Sequence, residues 1–306
     1  MGLVVVGSIA FDAIKTPFGE RERALGGAAV HFSLAASYFT DVRVVGPVGD
    51  DFGEDEYAVL HRHGVVTEDI EHVPGGKTFF YACEYEWNLN IRHSLDTQLG
   101  VFENFRPKLS DASKQAETLF LANIQPDLQR EVREQCGAKL AGLDSMNFWI
   151  ESARESLVRT IATVDVVLMN DDEVRMLTEQ PTLLKAARQI MEMGPSVVVV
   201  KQGEYGAALF TKDGFFSIPA FPLETVIDPT GAGDSFAGGL LGYLDAHGGA
   251  TDDATLRRAM AYGSAVASRW VEEFGCERAA TLTREEIDER FEAFRLMSVI
   301  EGVTTA

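Results

Sequence analysis

The stretch that decides the fold runs from residue 228 to residue 239 and reads Asp-Pro-Thr-Gly-Ala-Gly-Asp-Ser-Phe-Ala-Gly-Gly. Its turn of small residues, Gly231-Ala232-Gly233, leads directly into apolar residues at helical spacing. Glycines let a ligand approach the backbone closely, and the first amides of a helix have no internal partner and lie at the positive end of its dipole. The turn therefore predicts an anion-binding site, with the carboxylate of Asp234 at its entrance.

An anion site beside a carboxylate suits the transfer of a phosphoryl group to a hydroxyl. Asp234 would take the proton from the hydroxyl while the amides of Gly231, Ala232 and Gly233 hold the phosphoryl group. The alternative is that Asp234 only caps a helix, because Asp is a favoured N-cap residue and glycine turns precede many helices. The length of the string from residue 228 to residue 234 favours the catalytic interpretation.

This string resembles the C-terminal signature of the ribokinase-like (PfkB) family of sugar and nucleoside kinases. The resemblance implies an α/β fold with three layers, α/β/α, in which a mostly parallel central sheet carries a small β-sheet lid. It also implies one kinase domain over residues 1–306, with ATP as phosphoryl donor and Mg²⁺ as cofactor. Asp228 and Thr230 match family positions that can hold a monovalent cation such as K⁺, and Thr230 also matches the nucleotide site.

Composition and charge exclude several classes of protein. The chain has 306 residues, of which 46% are hydrophobic, enough for one large domain with a packed core. Its net charge of -20 argues against binding to nucleic acids or to anionic membranes. Three widely spaced cysteines indicate a reducing compartment and no disulfide framework. With no signal peptide and no apolar run of about 20 residues, the sequence predicts a cytoplasmic protein.

Short apolar runs alternate with helical patterns along the chain. Valine-rich runs are typical of strands buried on both faces, and the alternation predicts βαβ units with a mostly parallel sheet. The predicted strands are Leu3–Gly7, Val42–Val48, Leu119–Ala122, Leu140–Leu143, Val164–Met169 and Val197–Lys201. The predicted helices include Ala28–Tyr38, Glu54–His63, Ala153–Ile161 and Thr182–Met193.

One segment, residues 77–91, departs from this rhythm. Apolar and polar residues alternate along it, which predicts a strand with one buried and one solvent-exposed face. Residues 13–25 and 92–106 could pair with this strand. The family resemblance implies that 13–25 and 77–106 form a lid over the substrate and a contact in a homodimer. The alternative is an ordinary additional antiparallel ribbon.

Polar residues follow several of the predicted strands. Ligands of open α/β sheets bind beyond the carboxyl ends of the strands, so this coincidence predicts a cleft along one edge. The residues at these ends are Asp12, Asn123, Gln125, Asp144, Asn147, Asn170, Glu173, Gln202 and Gly203. Taken alone, each of them is explained more simply as a polar residue of a loop or as a helix cap, and only their coincidence along one edge supports a cleft.

The resemblance assigns part of this edge to the acceptor. Asp12 matches the aspartate that binds substrate hydroxyls, and a carboxylate can accept two hydrogen bonds from a vicinal diol. Gly26 and Gly27 match the di-glycine that opens a helix against the substrate, and we place Asn123 in the same site. His31 stands where the family usually has Asn, so either it donates to a substrate oxygen or its neighbours in the helix satisfy it.

Other matching residues indicate the nucleotide site. Asn170 and Glu173 match the family's Asn-x-x-Glu motif, in which Glu173 would act on Mg²⁺ through water; the alternative is a helix N-terminus that is merely acidic. Lys201 and Gly203 match the glycine turn that approaches ATP, for which a plain hairpin is the alternative. Ser264 lies in the helix that the family places beside the adenine.

The sequence therefore predicts an ATP-dependent kinase that phosphorylates a hydroxyl of a small-molecule sugar or nucleoside. The aromatic residues of the lid favour nucleosides slightly, and the acceptor and the phosphorylated position stay open. A non-catalytic sensor of sugars or nucleosides is one alternative, which the intact Asp234 and glycine turn disfavour. A nicotinamide oxidoreductase is the other, and the lack of a Gly-x-Gly-x-x-Gly after the first strand counts against it.

Overall fold

The computed structural model describes residues 2–298, whose strands form one large and one small sheet. The strands are β1 Leu3–Val6, β2 Ala10–Thr16, β3 Gly19–Gly26, β4 Val42–Val48, β5 Val66–His72, β6 Phe79–Tyr85, β7 Arg92–Gln98, β8 Thr118–Leu121, β9 Leu140–Asp144, β10 Val166–Asn170, β11 Val197–Lys201, β12 Ala207–Thr211 and β13 Gly214–Ile218. The α-helices are α1 Ala28–Ala36, α2 Glu54–Arg62, α3 Asp111–Lys114, α4 Pro126–Gln135, α5 Asn147–Ser152, α6 Arg154–Ile161, α7 Asp171–Thr178, α8 Leu183–Glu192, α9 Ala232–Ala246, α10 Asp253–Trp270 and α11 Arg284–Ser298.

The large sheet has the strand order β13-β12-β11-β10-β9-β8-β1-β4-β5. Its strands from β5 to β11 pair in parallel, and the hairpin of β12 and β13 adds two antiparallel strands at one edge. The valine-rich runs that predicted strands lie in its interior, as expected for strands covered on both faces. The predicted α/β class and mostly parallel central sheet are confirmed.

Each face of this sheet is covered by its own layer of helices. Side chains of β1 alternate between the two layers, because successive residues of a strand point to opposite faces. Leu3 and Val5 belong to the core that includes Phe32 of α1 and Leu240 of α9, whereas Val4 belongs to the core formed with α4, α6, α7 and α8. The chain therefore has the three layers that the sequence analysis expected.

Helices α1 and α9 pack unusually closely. A Cβ added at Gly238 of α9 would lie 2.4 Å from the carbonyl oxygen of Phe32 in α1, so the two backbones touch where a side chain would separate them. The run of small residues in α9 is therefore needed for packing. This contact fixes the start of α9 against α1 and brings His31 beneath the glycine turn.

The small sheet has the order β3-β2-β6-β7, in which β2 and β6 pair in parallel and the outer pairs are antiparallel. Its strands fall in the two segments predicted for the lid, with β2 and β3 beginning and ending slightly outside 13–25. The predicted strand over 77–91 is too long, because β6 ends at Tyr85 and the chain turns through a hydrogen bond from the Leu89 amide to the Glu86 carbonyl. Trp87 is consequently 83% exposed instead of lying on a sheet face.

Two smaller points complete the fold. Asp12 lies within β2 rather than in a loop after the first strand, because the chain enters the small sheet immediately after β1. Within residues 2–298, each helix is too short or too polar to cross a lipid bilayer.

Candidate active site

The glycine turn precedes α9 and leaves several amides free. Gly231 is the N-cap residue, with a φ of 73° that favours glycine. Among residues 2–298, the amides of Gly231, Gly233 and Asp234 have no hydrogen-bond acceptor, whereas the amide of Ala232 donates to the carbonyl of Pro229 at 3.2 Å. The turn itself therefore uses the N–H of Ala232 in this geometry, and the predicted contact of that amide with the phosphoryl group stays a prediction. The amide of Asp234 is available in its place.

Asp234 lies in the first turn of α9 and is half-buried. Burial, reinforced by repulsion from Asp144, raises the pKa of Asp234 from 3.8 to about 6. No side chain within residues 2–298 donates a hydrogen bond to its carboxylate. A partly desolvated carboxylate with an elevated pKa and no partner has the properties of a general base.

The imidazole of His31 packs against Gly231. A Cβ at Gly231 would lie 2.3 Å from Nδ1 of His31, so the ring contacts the backbone of the turn. His31 is 1% exposed and lies on α1, which is itself fixed against α9. The position of the glycine turn therefore depends on this histidine.

A lysine approaches the other side of the turn. Lys201, the last residue of β11, pairs with Asp144, the last residue of β9, at 2.5 Å. A Cβ at Gly233 would lie 3.2 Å from Nζ of Lys201, which places the ammonium group beside the free amides. Burial lowers the pKa of Lys201, but Asp144 and Glu173 outweigh this effect and raise it, so the lysine is charged at neutral pH.

Asn170 and Glu173 begin α7 with a reciprocal cap. The side chain of Asn170 accepts from the amide of Glu173, and the side chain of Glu173 accepts from the amide of Asn170, both at 2.8 Å. Glu173 is 9% exposed, and burial together with the nearby Asp144 raises its pKa to about 7. The capping interpretation thus applies to both residues, and their predicted role with Mg²⁺ stays a prediction.

Asp12, Gly26 and Gly27 meet at the base of the small sheet, where β2 begins and β3 ends. The carboxylate of Asp12, which is 5% exposed, lies so close to Gly26 that a Cβ there would be 1.9 Å from Oδ2. Gly27 is the N-cap residue of α1. The absence of a side chain at Gly26 therefore makes room for the carboxylate of Asp12, whereas Gly27 packs against the backbone of Ser8 and Ala10.

Asn123, at the end of β8, anchors α5. Its Oδ1 accepts from the indole of Trp149 at 3.0 Å, and its Nδ2 donates to the sulfur of Met146 at 3.0 Å. These contacts leave one N–H of the amide for a ligand. The substrate role of Asn123 stays a prediction.

Asp228 fixes the start of the turn. Its two carboxylate oxygens accept from the amides of Thr230 and Gly275, each at 2.8 Å, and it is 1% exposed. Burial raises its pKa. The hydroxyl of Thr230 lies 3.2 Å from that of Tyr85 in β6, which joins the small sheet to the glycine turn. A monovalent cation at this corner stays a prediction.

Two predicted nucleotide residues lie near the rim. Gly203 begins a short 3-10 turn, Gly203–Tyr205, in which Glu204 accepts a hydrogen bond at 2.8 Å from Asn90, in the turn that joins β6 to β7 of the small sheet. Ser264 is a buried residue of α10. The structure thus connects the turn after β11 with the small sheet, and the roles of Gly203 and Ser264 in binding ATP stay predictions.

The sequence analysis missed the residue that holds His31. The indole N–H of Trp270 donates to Nδ1 of His31 at 3.0 Å, across a separation of 239 residues. No local pattern could have found this contact. It also missed the pairing of Asp144 with Lys201, although it placed Asp144 at the correct edge of the sheet.

Comparisons with known proteins agree with this geometry. Residues 2–282 match the profile of the pfkB family of carbohydrate kinases. A cytidine kinase of Thermococcus kodakarensis is 29% identical over 252 residues, which cover 79% of this chain and 88% of the relative. A nucleoside kinase of Methanothermobacter thermautotrophicus is 28% identical over 309 residues, covering 95% and 96%.

Solved structures have the same fold. The nucleoside kinase of Methanocaldococcus jannaschii superposes with a TM-score of 0.77 at 22% identity, covering 96% of this chain and 99% of that one. A Burkholderia thailandensis nucleoside kinase, solved in complex with inosine, gives a TM-score of 0.77 at 23% identity and covers 95% and 97%. The predicted ribokinase-like fold is confirmed.

Proposed function

The chain belongs to the pfkB family of carbohydrate kinases, and we propose that it transfers the terminal phosphoryl group of ATP to a hydroxyl of a nucleoside. The predicted enzyme class, a sugar or nucleoside kinase, is confirmed by this membership. The observation that carries the finer proposal is the position of Asp234. Among residues 2–298 no group donates a hydrogen bond to its carboxylate, whose pKa is about 6, and in the chain Asp234 directly follows the free amides of Gly231 and Gly233.

Asp234 would act as the general base. As the acceptor oxygen forms a bond to the terminal phosphorus of ATP, its proton passes to the carboxylate of Asp234. The bond between that phosphorus and the bridging oxygen breaks, and ADP leaves with the oxygen and the electron pair. The free amides of Gly231, Gly233 and Asp234 would stabilise the charge on the transferred group. The ammonium of Lys201 would add a positive charge on the nucleotide side.

The donor set near α7 fits Mg²⁺. Oxygen ligands and retained waters are what this ion prefers, and Glu173 supplies a carboxylate beside the amide of Asn170. Within the described part of the chain, no three acidic, His or Cys side chains converge on one point, so the ion would keep most of its waters. Mg²⁺, when bound, would neutralise oxygens of the ATP phosphates, and Glu173 would orient its waters.

The acceptor would lie beside Asp12 at the base of the small sheet, which would act as a lid. The parallel pairing of β2 with β6 places Asp12 opposite Tyr81, and Tyr85 of the same strand reaches Thr230. An aromatic side chain can stack on a base, which favours a nucleoside over a simple sugar. The named activities of the two relatives, cytidine and nucleoside kinase, support the same choice.

The outer part of the lid would form a homodimer contact. Five large apolar side chains are exposed on or next to the small sheet: Phe18, Trp87, Ile91, Leu95 and Leu99. Grouped apolar exposure of this kind marks interaction surfaces. Sedimentation of the wild type against Leu95→Glu tests this contact.

All three cysteines are unpaired and buried, which fits a reducing cytoplasm.

A panel of nucleosides, pentoses and hexoses, screened for ADP formation with Mg-ATP, tests the function. We expect turnover with nucleosides and at least a hundredfold less with Asp234→Asn. Binding of a nucleoside without ADP formation would instead support a sensor. Activity with sugars alone would refute the choice of acceptor.

A further inference from the structure

The imidazole of His31 is held by two side chains from the far end of the sequence. The indole N–H of Trp270 points at Nδ1 from 3.0 Å, and the sulfur of Cys276 lies 3.4 Å from the same nitrogen. An indole nitrogen can only donate a hydrogen bond, so Nδ1 must accept it and carries no proton. Burial lowers the pKa of His31, but Cys276 and Asp12 outweigh this effect and raise it. The bond from the indole nevertheless requires an Nδ1 without a proton, so we assign the neutral ring with its proton on Nε2.

Within the described residues, the proton on Nε2 has no hydrogen-bond acceptor. Nε2 of His31 is buried, and it has no hydrogen-bond partner within residues 2–298. The nearest carboxylate oxygen, Oδ2 of Asp12, is 3.9 Å away, too far for a direct bond. Contact with the backbone of Gly231 limits movement of the ring. A buried donor without a partner is costly, and a ligand oxygen that accepts from it removes that cost.

We propose that Trp270 is a positioning residue that fixes His31 as a donor at Nε2, so that His31 and Asp12 together bind one ring hydroxyl of the acceptor. The hydroxyl donates its hydrogen to the carboxylate of Asp12 and accepts the Nε2 hydrogen of His31. One oxygen thereby satisfies both side chains. This inference rests on the proposed function, because it needs an acceptor with ring hydroxyls beside Asp12.

The arrangement has a consequence for specificity. A site that offers both a donor and an acceptor to one hydroxyl leaves both unpaired when the hydroxyl is missing, and such sites reject the deoxy analogue strongly. The hydroxyl bound here is distinct from the one that receives the phosphoryl group. Trp270 influences this choice only through His31, because it contacts Nδ1 and not the ligand.

The tautomer is tested by ¹⁵N NMR of the histidine side chains, independently of any activity. We expect His31 to show an unprotonated Nδ1 and a protonated Nε2 at neutral pH. His247 is an internal reference for the opposite tautomer, since its Nδ1 lies 2.8 Å from the carbonyl of Tyr243 and must donate to it. Cys276→Ala should keep the His31 pattern because Trp270 remains. A protonated Nδ1, or an imidazolium, would overturn the proposal.

Kinetics with cytidine and its 2′- and 3′-deoxy analogues test the specificity. The wild type should disfavour one analogue by at least about a hundredfold in kcat/KM. In Trp270→Phe this discrimination should fall about three- to tenfold, the effect of one neutral hydrogen bond, while the KM for ATP stays unchanged. Unchanged discrimination in Trp270→Phe would refute the positioning role.

Two further outcomes, a Trp270→Phe variant that does not fold and a protein that phosphorylates no nucleoside, can be told apart. If Trp270→Phe does not fold, addition of cytidine to the wild type must shift the Nε2 resonance of His31 while Nδ1 stays unprotonated, and no shift refutes the hydroxyl contact. If no nucleoside is phosphorylated and none shifts this resonance, the proposed function and the hydroxyl contact both fail, while the spectrum still decides the tautomer.

Discussion

Replacement of Asp234 by Asn should abolish catalysis and stabilise the protein at the same time. The side chain accepts no hydrogen bond from any described residue, so Asn loses no contact there, while the buried charge disappears. The pKa rises from 3.8 to about 6 on folding, and each unit corresponds to about 1.4 kcal/mol. Because the group is half-buried and partly screened, we expect a gain of about 1–3 kcal/mol in the free energy of unfolding.

The pH dependence gives the sign of this effect. Below pH 3.8 the carboxyl is protonated in the folded and in the unfolded state, so Asn and Asp should be equally stable there. Above about pH 6 it is charged in both states, and the full cost of burying the charge is present in the wild type. The stabilisation of Asp234→Asn should therefore grow between these two values and then level off.

Urea denaturation of both proteins between pH 4 and pH 8, without ligands, measures this difference. Asp213→Asn is the matched control, because it removes the same charge from an exposed turn of a chain with a net charge of -20. ADP formation by the same samples should fall by at least about a hundredfold in Asp234→Asn. A pH-independent difference, a loss of stability or retained turnover would each refute the assignment of Asp234.

Three further predictions concern the same site. In the wild type, kcat/KM should rise with unit slope up to about pH 6, because Asp234 must be deprotonated; a profile flat down to pH 5 would contradict this. Gly231→Ala should lower the free energy of unfolding, measured by urea denaturation, by about 2–4 kcal/mol, because the new Cβ would meet the ring of His31. Gly248→Ala is the control: Gly248 has a φ of 69° but open space around it, so this change should cost only about 1 kcal/mol. Lys201→Met should lower kcat/KM for ATP at least about tenfold and Lys201→Arg less, and equal values for both variants would exclude a role for the charge.

The sequence predicted the central part of the fold well. The bounds of β4 and β11 agree with prediction to the residue, because valine runs buried on both faces leave little alternative to a strand. The hairpin of β12 and β13 was not predicted, since β13 lies at the sheet edge and its largely exposed residues give a weaker pattern. The strand over 77–91 was drawn too long because the alternation of apolar residues continues through the turn after Tyr85.

The site was predictable where its residues are close in sequence. The glycine turn and Asp234 form one local string, and Lys201 and Asn170 end strands whose order follows from the βαβ pattern. The engagement of the Ala232 amide depends on how tightly the chain turns after Pro229, which composition does not reveal. The contact of Trp270 with His31 depends on the packing of α1 and α10 against α9, and single-sequence patterns carry no signal for a pair so far apart.

The parallel pairing of β2 with β6 has a consequence for biosynthesis. Residues 3–16 provide a central strand of each sheet, yet β6 and β8, their neighbours, are translated much later, β8 by roughly one hundred residues. During synthesis, β1 and β2 therefore each lack one neighbouring strand until β8 and β6 have been translated, and neither sheet can complete its pairing before then. Chains stalled before β8 should be captured by chaperones and cleaved readily by proteases, and ribosome-bound fragments should acquire protease resistance only once β8 has left the exit tunnel.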